Sequence, residues 1–467
     1  MRTRVLLIST YDLGRQPFGL ASPAAWLRAD GHEVTCLDLT RTRLEPEVAA
    51  EADVAAFFLP MHTATRLALP AIDRIRAINP HVRLIAYGLY APLSEDTLRE
   101  HGVQTVLGAE FEGELSRVVR VGGAAVAEAS GERARAGAGE RAGAGAGARG
   151  GAGAIERLTF IQPDRSDLPP LARYASLQVG DTRKVVGYTE ATRGCKHRCR
   201  HCPIVPVYDG RFRAVDADVV LADIRAQVAA GAEHITFGDP DFFNGPTHAL
   251  RILDRFAAEF PGITFDATIK IEHLRAQAAL LPRLRDAGCA FVTSAVESID
   301  DDVLAALEKG HTRADFEAVV RHCREIGLPL APTFVAFTPW TTLEGYCELL
   351  RAIDDLALVE AVSPVQYAIR LLIPTGSRML ELAEIRERVT HFDPSTLTHV
   401  WRHADSRVDA LQSALEQLAG HRVHAAREEF FARVWDVAYA AAGRPAPARR
   451  PLAARATVPY LNEPWYC

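Results

Sequence analysis

Short apolar runs alternate with helical spacings along most of this chain. Val5 to Ser9 is one such run, giving way to the polar loop Tyr11-Asp-Leu-Gly14; a helical pattern then passes through Trp26 and Leu27 and stops at Gly31. Further runs follow at Glu33 to Leu39, Val54 to Leu59, Val82 to Tyr87 and Thr105 to Leu107, each separated by a segment long enough for a helix. Continuous apolar strands of this kind are buried on both faces. The pattern therefore predicts an α/β unit over residues 1–120, a doubly wound, Rossmann-like parallel sheet. Ligands of such sheets sit beyond the carboxyl ends of the strands, here the loops near Asp12, Pro60-Met-His62 and Gly88 to Pro92.

The pattern lapses over residues 121–157 into Gly, Ala, Arg and Glu, with almost no bulky side chains to bury, and this stretch is predicted to be a disordered linker. It resumes with strands at Val185 to Glu190, His234 to Phe237, Ile263 to Ile269, Phe291 to Val296, Pro332 to Phe337 and Gln366 to Leu372, with helices between. Asp216 is placed to cap the first of those helices. Six strand–helix units predict a partial (β/α) barrel over residues 158–380, with its chemistry on the loops after the strands. Beyond Pro374-Thr-Gly376 the spacing turns helical, predicting a helical cap over 381–442. A Pro- and Arg-rich flexible tail, 443–467, ends in Cys467.

Composition narrows the function classes. A net charge of −6 over 467 residues shows no electrostatic footprint for nucleic acid or an anionic membrane. No stretch approaches the length of a membrane span. Eight cysteines, neither dense nor paired, suit a reducing, cytoplasmic setting rather than a secreted disulfide framework. Cys289, Cys323 and Cys347 fall inside helix or strand patterns and read as buried small hydrophobes.

The strongest chemical signal is Arg193-Gly-Cys-Lys-His-Arg-Cys-Arg-His-Cys-Pro203, which sets Cys195, Cys199 and Cys202 in a CxxxCxxC spacing at the end of a predicted strand. Three thiolates in one loop reach three corners of a 4Fe-4S cluster and leave one iron open. The competing reading is a Cys3His zinc site completed by His197 or His201, although zinc ligands usually come as two separated pairs.

The loop, with Thr192-Arg193-Gly194 before it and Pro203 after it, resembles the radical S-adenosylmethionine superfamily, in the branch with an N-terminal cobalamin-binding-type domain. That resemblance implies a cluster whose open iron is chelated by S-adenosylmethionine. It implies that His201, where the family usually has an aromatic residue, packs on this cofactor. The turn Gly238-Asp239-Pro240-Asp241 would bind the methionine amino group through Asp239 or Asp241, and Glu297 with Ser298 would hold the ribose. Lys270 and Arg370, at predicted strand ends, are both able to neutralise a carboxylate. Gly108 to Glu114 resembles the segment that closes the cobalamin-binding domain. The axial signature Asp-x-His-x-x-Gly is absent, however, and His62 is the nearest histidine in a ligand-facing loop.

The reading that follows is a radical enzyme acting on a small-molecule substrate, with a flavodoxin or ferredoxin as reductant. Cobalamin-dependent methyl transfer is one outcome, and transfer of a cofactor-derived group to arsenic or selenium another. The ending Glu463-Pro-Trp-Tyr-Cys467 resembles the tail of CUAEP/CCAEP-tail radical proteins, implying a redox or soft-ligand role for Cys467 and a selenocysteine codon after it. Rival classes are a non-catalytic iron–sulfur carrier or sensor, in which protein ligates every iron, and a zinc-stabilised binding module.

Overall fold

Alternating burial divides each strand of the first sheet between two cores. In a computed structural model, which describes residues 2–121, 159–422, 426–450 and 459–462, the strands β1 (Arg4–Ser9), β2 (Glu33–Asp38), β3 (Val54–Phe58), β4 (Arg83–Tyr87) and β5 (Thr105–Leu107) form a parallel sheet ordered β2-β1-β3-β4-β5. Val5, Leu7, Val54 and Ala56 join Leu20 and Leu115 on one face, while Leu6, Ile8, Ala55 and Phe57 join Ile72 and Ile75 on the other. Helices Phe18–Ala29 and Glu112–Val121 cover the first face and His62–Ile78 the second. Burial from both sides is why these strands read as unbroken apolar runs. The strand order reverses between β1 and β3, which opens a crevice at their carboxyl ends.

The segment predicted as a linker and Cys467 lie outside the described residues. The second sheet starts with an antiparallel hairpin, β6 (Ser176–Val179) and β7 (Thr182–Thr189). A separate two-stranded ribbon, β8 (Thr192–Gly194) and β9 (Phe212–Ala214), follows. The chain then returns to the sheet with β10 (His234–Phe237), β11 (Thr264–Thr268), β12 (Cys289–Glu297) and β13 (Leu330–Phe334), each parallel to the strand before it in the order β7-β10-β11-β12-β13. Asp216 caps the helix Ala217–Ala229 by accepting from the Asp218 amide at 2.8 Å. Ile235, Phe237, Phe265 and Val292 pack with Leu221, Ile252, Phe256 and Val319 of the outer helices in one large core. Cys289, Cys323 and Cys347 are part of it.

Two sequence expectations change here. The sixth barrel strand, expected over Gln366 to Leu372, is a 3-10 turn (Pro364–Tyr367) followed by a single parallel bridge between Phe337 and Arg370. The Gln366 side chain takes over part of the missing ladder, its Oε1 accepting from the Phe334 amide at 2.8 Å. The region expected to be wholly helical contains an antiparallel ribbon, β14 (Val389–Asp393) and β15 (Thr398–Trp401), whose turn is closed by Asp393 accepting from the Ser395 amide at 2.9 Å. The helices Ser406–Arg422 and Arg427–Ala441 bury Leu411, Leu415, Phe430, Phe431 and Trp435 in the barrel core beside Tyr346 and Tyr367. They pack on each other, on the helix Leu343–Asp355 and on the short turns Val359–Ala361 and Pro364–Tyr367. Finally β16 (Tyr460–Asn462) pairs antiparallel with β6, setting Asn462 opposite Ser176.

Candidate active site on the cysteine loop

The cysteines sit in an excursion clasped at its base by the β8–β9 ribbon, which pairs Thr192 with Ala214 and Gly194 with Phe212. Gly194 takes φ +74°, and a Cβ there would come within 2.6 Å of the Arg211 carbonyl oxygen, so only glycine fits the start of the loop. Asn244 pins the loop from the barrel side, donating to the Gly194 carbonyl at 3.0 Å and accepting from the Lys196 amide at 3.1 Å. On the far side the Arg200 amide donates to the Leu307 carbonyl at 2.9 Å. Cys199 is buried, with Cys195 and Cys202 half-buried.

The donor set suits an iron–sulfur cluster. The three thiols lie within electrostatic reach of one another, with Lys309 beside Cys199 and Cys202. Burial pushes the Cys195 thiol up to about 11 and that of Cys202 up to about 12, so thiolates here need a cation in their midst. Of the imidazoles a Cys3His zinc site would draw on, His201 Nε2 is 3.1 Å from Glu297 Oε1, while His197 groups with Asp241 and His273 rather than with the cysteines.

Glu297 ends β12 at a register shift and adopts φ +71°, a left-handed conformation that costs a non-glycine residue energy and is held only by surrounding contacts. Those contacts are His201 and Lys309, whose Nζ lies 3.4 Å from the same carboxylate oxygen. Against the cost of burial, Lys309 and His201 hold the Glu297 carboxyl down to about 2. Ser298 Oγ accepts from the Asp300 amide at 3.1 Å.

In the turn after β10, Gly238 allows close approach, since a Cβ would fall 1.8 Å from the Tyr188 hydroxyl. Asp239 is committed to the cysteine loop's root: Oδ2 accepts from the Ala191 amide at 2.9 Å and Oδ1 from the Thr192 hydroxyl at 2.5 Å. Burial pushes its carboxyl up to about 7. Asp241 uses Oδ1 to cap Phe243, at 3.1 Å, and keeps Oδ2 without a hydrogen bond. Of the two cations at predicted strand ends, Arg370 is spent on Asp409 and the Trp401 carbonyl, both at 2.7 Å. Lys270 remains at the site, 2.9 Å from Glu272.

Arg193, noted in the sequence only as part of the loop motif, joins the two sheets. Its guanidinium binds Glu112 at 2.6 and 2.8 Å and Glu190 at 2.7 Å, between the rings of Phe18, Phe111 and Phe160. Ser22 donates to the same Glu112 carboxylate at 2.6 Å, and Tyr208 donates to Glu110 at 2.8 Å. The Gly108–Glu114 segment thus grips the cysteine loop. Both halves of this contact were flagged as motifs, but no periodicity could pair residues 81 apart in sequence. Beside it a cleft of about 170 Å³ runs between the sheets, walled by Phe18, Phe58, Gly88, Leu89, Phe111 and Arg193. His62 is not among its walls; its Nε2 meets the Thr396 carbonyl oxygen in the β14–β15 turn.

Residues 189–350 match the family model described as the Radical SAM superfamily. Among curated proteins it is similar to the bacteriochlorophyllide d C-12(1)-methyltransferase of Chlorobaculum tepidum, 26% identical over 209 residues, 44% of this chain and 43% of that one. It is also similar to the ribosomal protein uS12 methylthiotransferase RimO of Leptospira biflexa, 24% identical over 179 residues, 37% of this chain and 40% of that one. The matches thus span less than half the length of these relatives. In fold it resembles the cobalamin-dependent S-adenosylmethionine radical enzyme OxsB with aqua-cobalamin bound, with a TM-score of 0.65 at 16% identity over 90% of this chain and 67% of that one. The methyltransferase TsrM from Kitasatospora setae, with cobalamin and a [4Fe-4S] cluster bound, gives 0.59 at 17% identity over 95% and 100%.

Proposed function

We propose that this chain is a radical S-adenosylmethionine enzyme that transfers a methyl or related one-carbon group to a small-molecule substrate. The observation that carries the reading is the clasped cysteine loop facing a strained, charge-paired Glu297 across the mouth of a partial barrel. A cluster held by Cys195, Cys199 and Cys202 would supply an electron to S-adenosylmethionine and so a radical for hydrogen abstraction. Glu297, kept ionised by Lys309 and His201, is suited to accept from both ribose hydroxyls. The turn Gly238–Asp241 brings main-chain groups close to the loop, and Asp239 braces the loop's root. Lys270 offers positive charge for a carboxylate.

A cobalamin-dependent form of the reaction is favoured by the position of the cleft, which joins the carboxyl ends of β3 and β4 to the cysteine loop through Phe58, Gly88 and Arg193. No histidine lines it among the described residues. The names of the methyl- and methylthio-transferring relatives agree with one-carbon transfer. Anaerobic reconstitution should load about four iron and four sulfide per chain, and dithionite should then release 5′-deoxyadenosine. C199A should lose both. Iron loading without nucleoside release would support the carrier reading, and zinc in place of iron would end both.

A further inference from the structure

Three side chains at the barrel mouth take no part in the reading above. His197 comes from the cysteine loop, Asp241 from the turn after β10 and His273 from the segment after β11. One ligating atom from each lies within 4.8 Å of the other two. His197 Nε2 is 3.1 Å from His273 Nε2 and 3.7 Å from Asp241 Oδ2, and His273 Nδ1 is 2.7 Å from that same oxygen. Asp241 is 1% exposed and His273 5%.

The last contact is short but is not a hydrogen bond. Neither Asp241 Oδ2 nor His273 Nδ1 has a hydrogen-bond partner, because the ring nitrogen and the carboxylate do not line up. With the ring neutral, a buried oxygen and nitrogen crowded together in that way lack the hydrogen bond that would offset their desolvation. Two donors of one cation, with bonds of about 2.0–2.2 Å each, sit roughly 2.8–3.6 Å apart, so the 3.1 Å and 3.7 Å separations to His197 Nε2 are close to that range and the 2.7 Å contact has to open by a few tenths of an ångström to admit the ion. The second shell agrees. His197 Nδ1 lies 3.5 Å from Glu272 Oε2, so a carboxylate stands behind the ring and favours Nε2 as the ligating atom. Lys270, 2.9 Å from the same Glu272 oxygen, holds that carboxylate in place.

We propose that His197, Asp241 and His273 bind a divalent transition-metal ion beside the cysteine loop, through two imidazoles and one carboxylate, with its remaining positions open to water or a substrate donor atom. Such a donor set suits zinc, iron(II), cobalt(II) or manganese(II). The site assigns Asp241 Oδ2 to the ion and leaves the methionine amino group to main-chain oxygens of the turn.

The test needs no cluster. Full-length C195A/C199A/C202A protein, titrated with Co²⁺, should take up one equivalent with visible bands of a nitrogen and oxygen site, without thiolate charge transfer, and Zn²⁺ should displace it. H273A or H197A in that background should weaken binding at least 100-fold, and E272Q about tenfold. If the triple variant does not fold, Mn²⁺ binding to the wild-type chain, counted by paramagnetic resonance of the free ion, reads the same site; wild type should bind one equivalent that H273A loses. Absence of a stoichiometric ion, or binding indifferent to H273A, overturns the proposal. Because neither measurement uses S-adenosylmethionine, this outcome and a failed nucleoside assay remain separable.

Discussion

Glu297 shows how one residue gathers the cost and the purpose of a site. Its left-handed backbone and buried charge are both unfavourable alone, and both are held by Lys309 and His201. Removing the charge in E297Q strands Lys309, with an expected loss of about 3–5 kcal/mol in urea unfolding at neutral pH. The folded carboxyl titrates at about 2, below its unfolded value of about 4.3. Its contribution is therefore complete above the unfolded value and lost as pH falls through about 2. The stability gap between wild type and E297Q should be constant above pH ~5 and narrow below it; a gap that widens with acid would refute this assignment. Gly194 makes a second case. G194A forces a Cβ against the Arg211 carbonyl at 2.6 Å and should cost more than about 1 kcal/mol while lowering iron loading, measured as iron per chain. The cysteines were legible because their spacing is local. Lys309, His273 and the Glu112 partner of Arg193 were not, because each acts across a fold that only tertiary packing creates.

At the scale of elements, strands were read well wherever helices bury both faces. Val54–Phe58 and His234–Phe237 fall where the apolar runs put them. The failures came where a side chain or a turn replaced a ladder. Around Gln366 the sequence is apolar enough for a strand, yet the Gln366 amide side chain and Pro364 convert it to a turn. Q366L should leave the Phe334 amide without its acceptor and cost about 1–3 kcal/mol, read from the denaturation midpoint at unchanged slope. The β14–β15 ribbon was hidden because its alternation is short and half exposed, and the capping of its turn by Asp393 is a local hydrogen-bond effect rather than a periodic one.

Across the whole molecule, the buried Arg193–Glu112 pair couples the two sheets. R193M removes the buried cation and leaves Glu112 with Ser22 alone, so calorimetry should show the single transition of wild type separating into two, the barrel melting apart from the N-terminal sheet. A single unshifted transition would mean that the remaining contacts, among them Tyr208 with Glu110 and Arg165 between Gln16 and Asp223, hold the halves together. The parallel sheets themselves were foreseeable from alternation, but the last edge strand of the second sheet was not. That strand is β16, three residues that come from beyond the helices Ser406–Arg422 and Arg427–Ala441 to pair with β6. During synthesis, then, the β6 flank stands open until residues 460–462 leave the ribosome, and a nascent chain carries an adhesive backbone edge through most of its assembly.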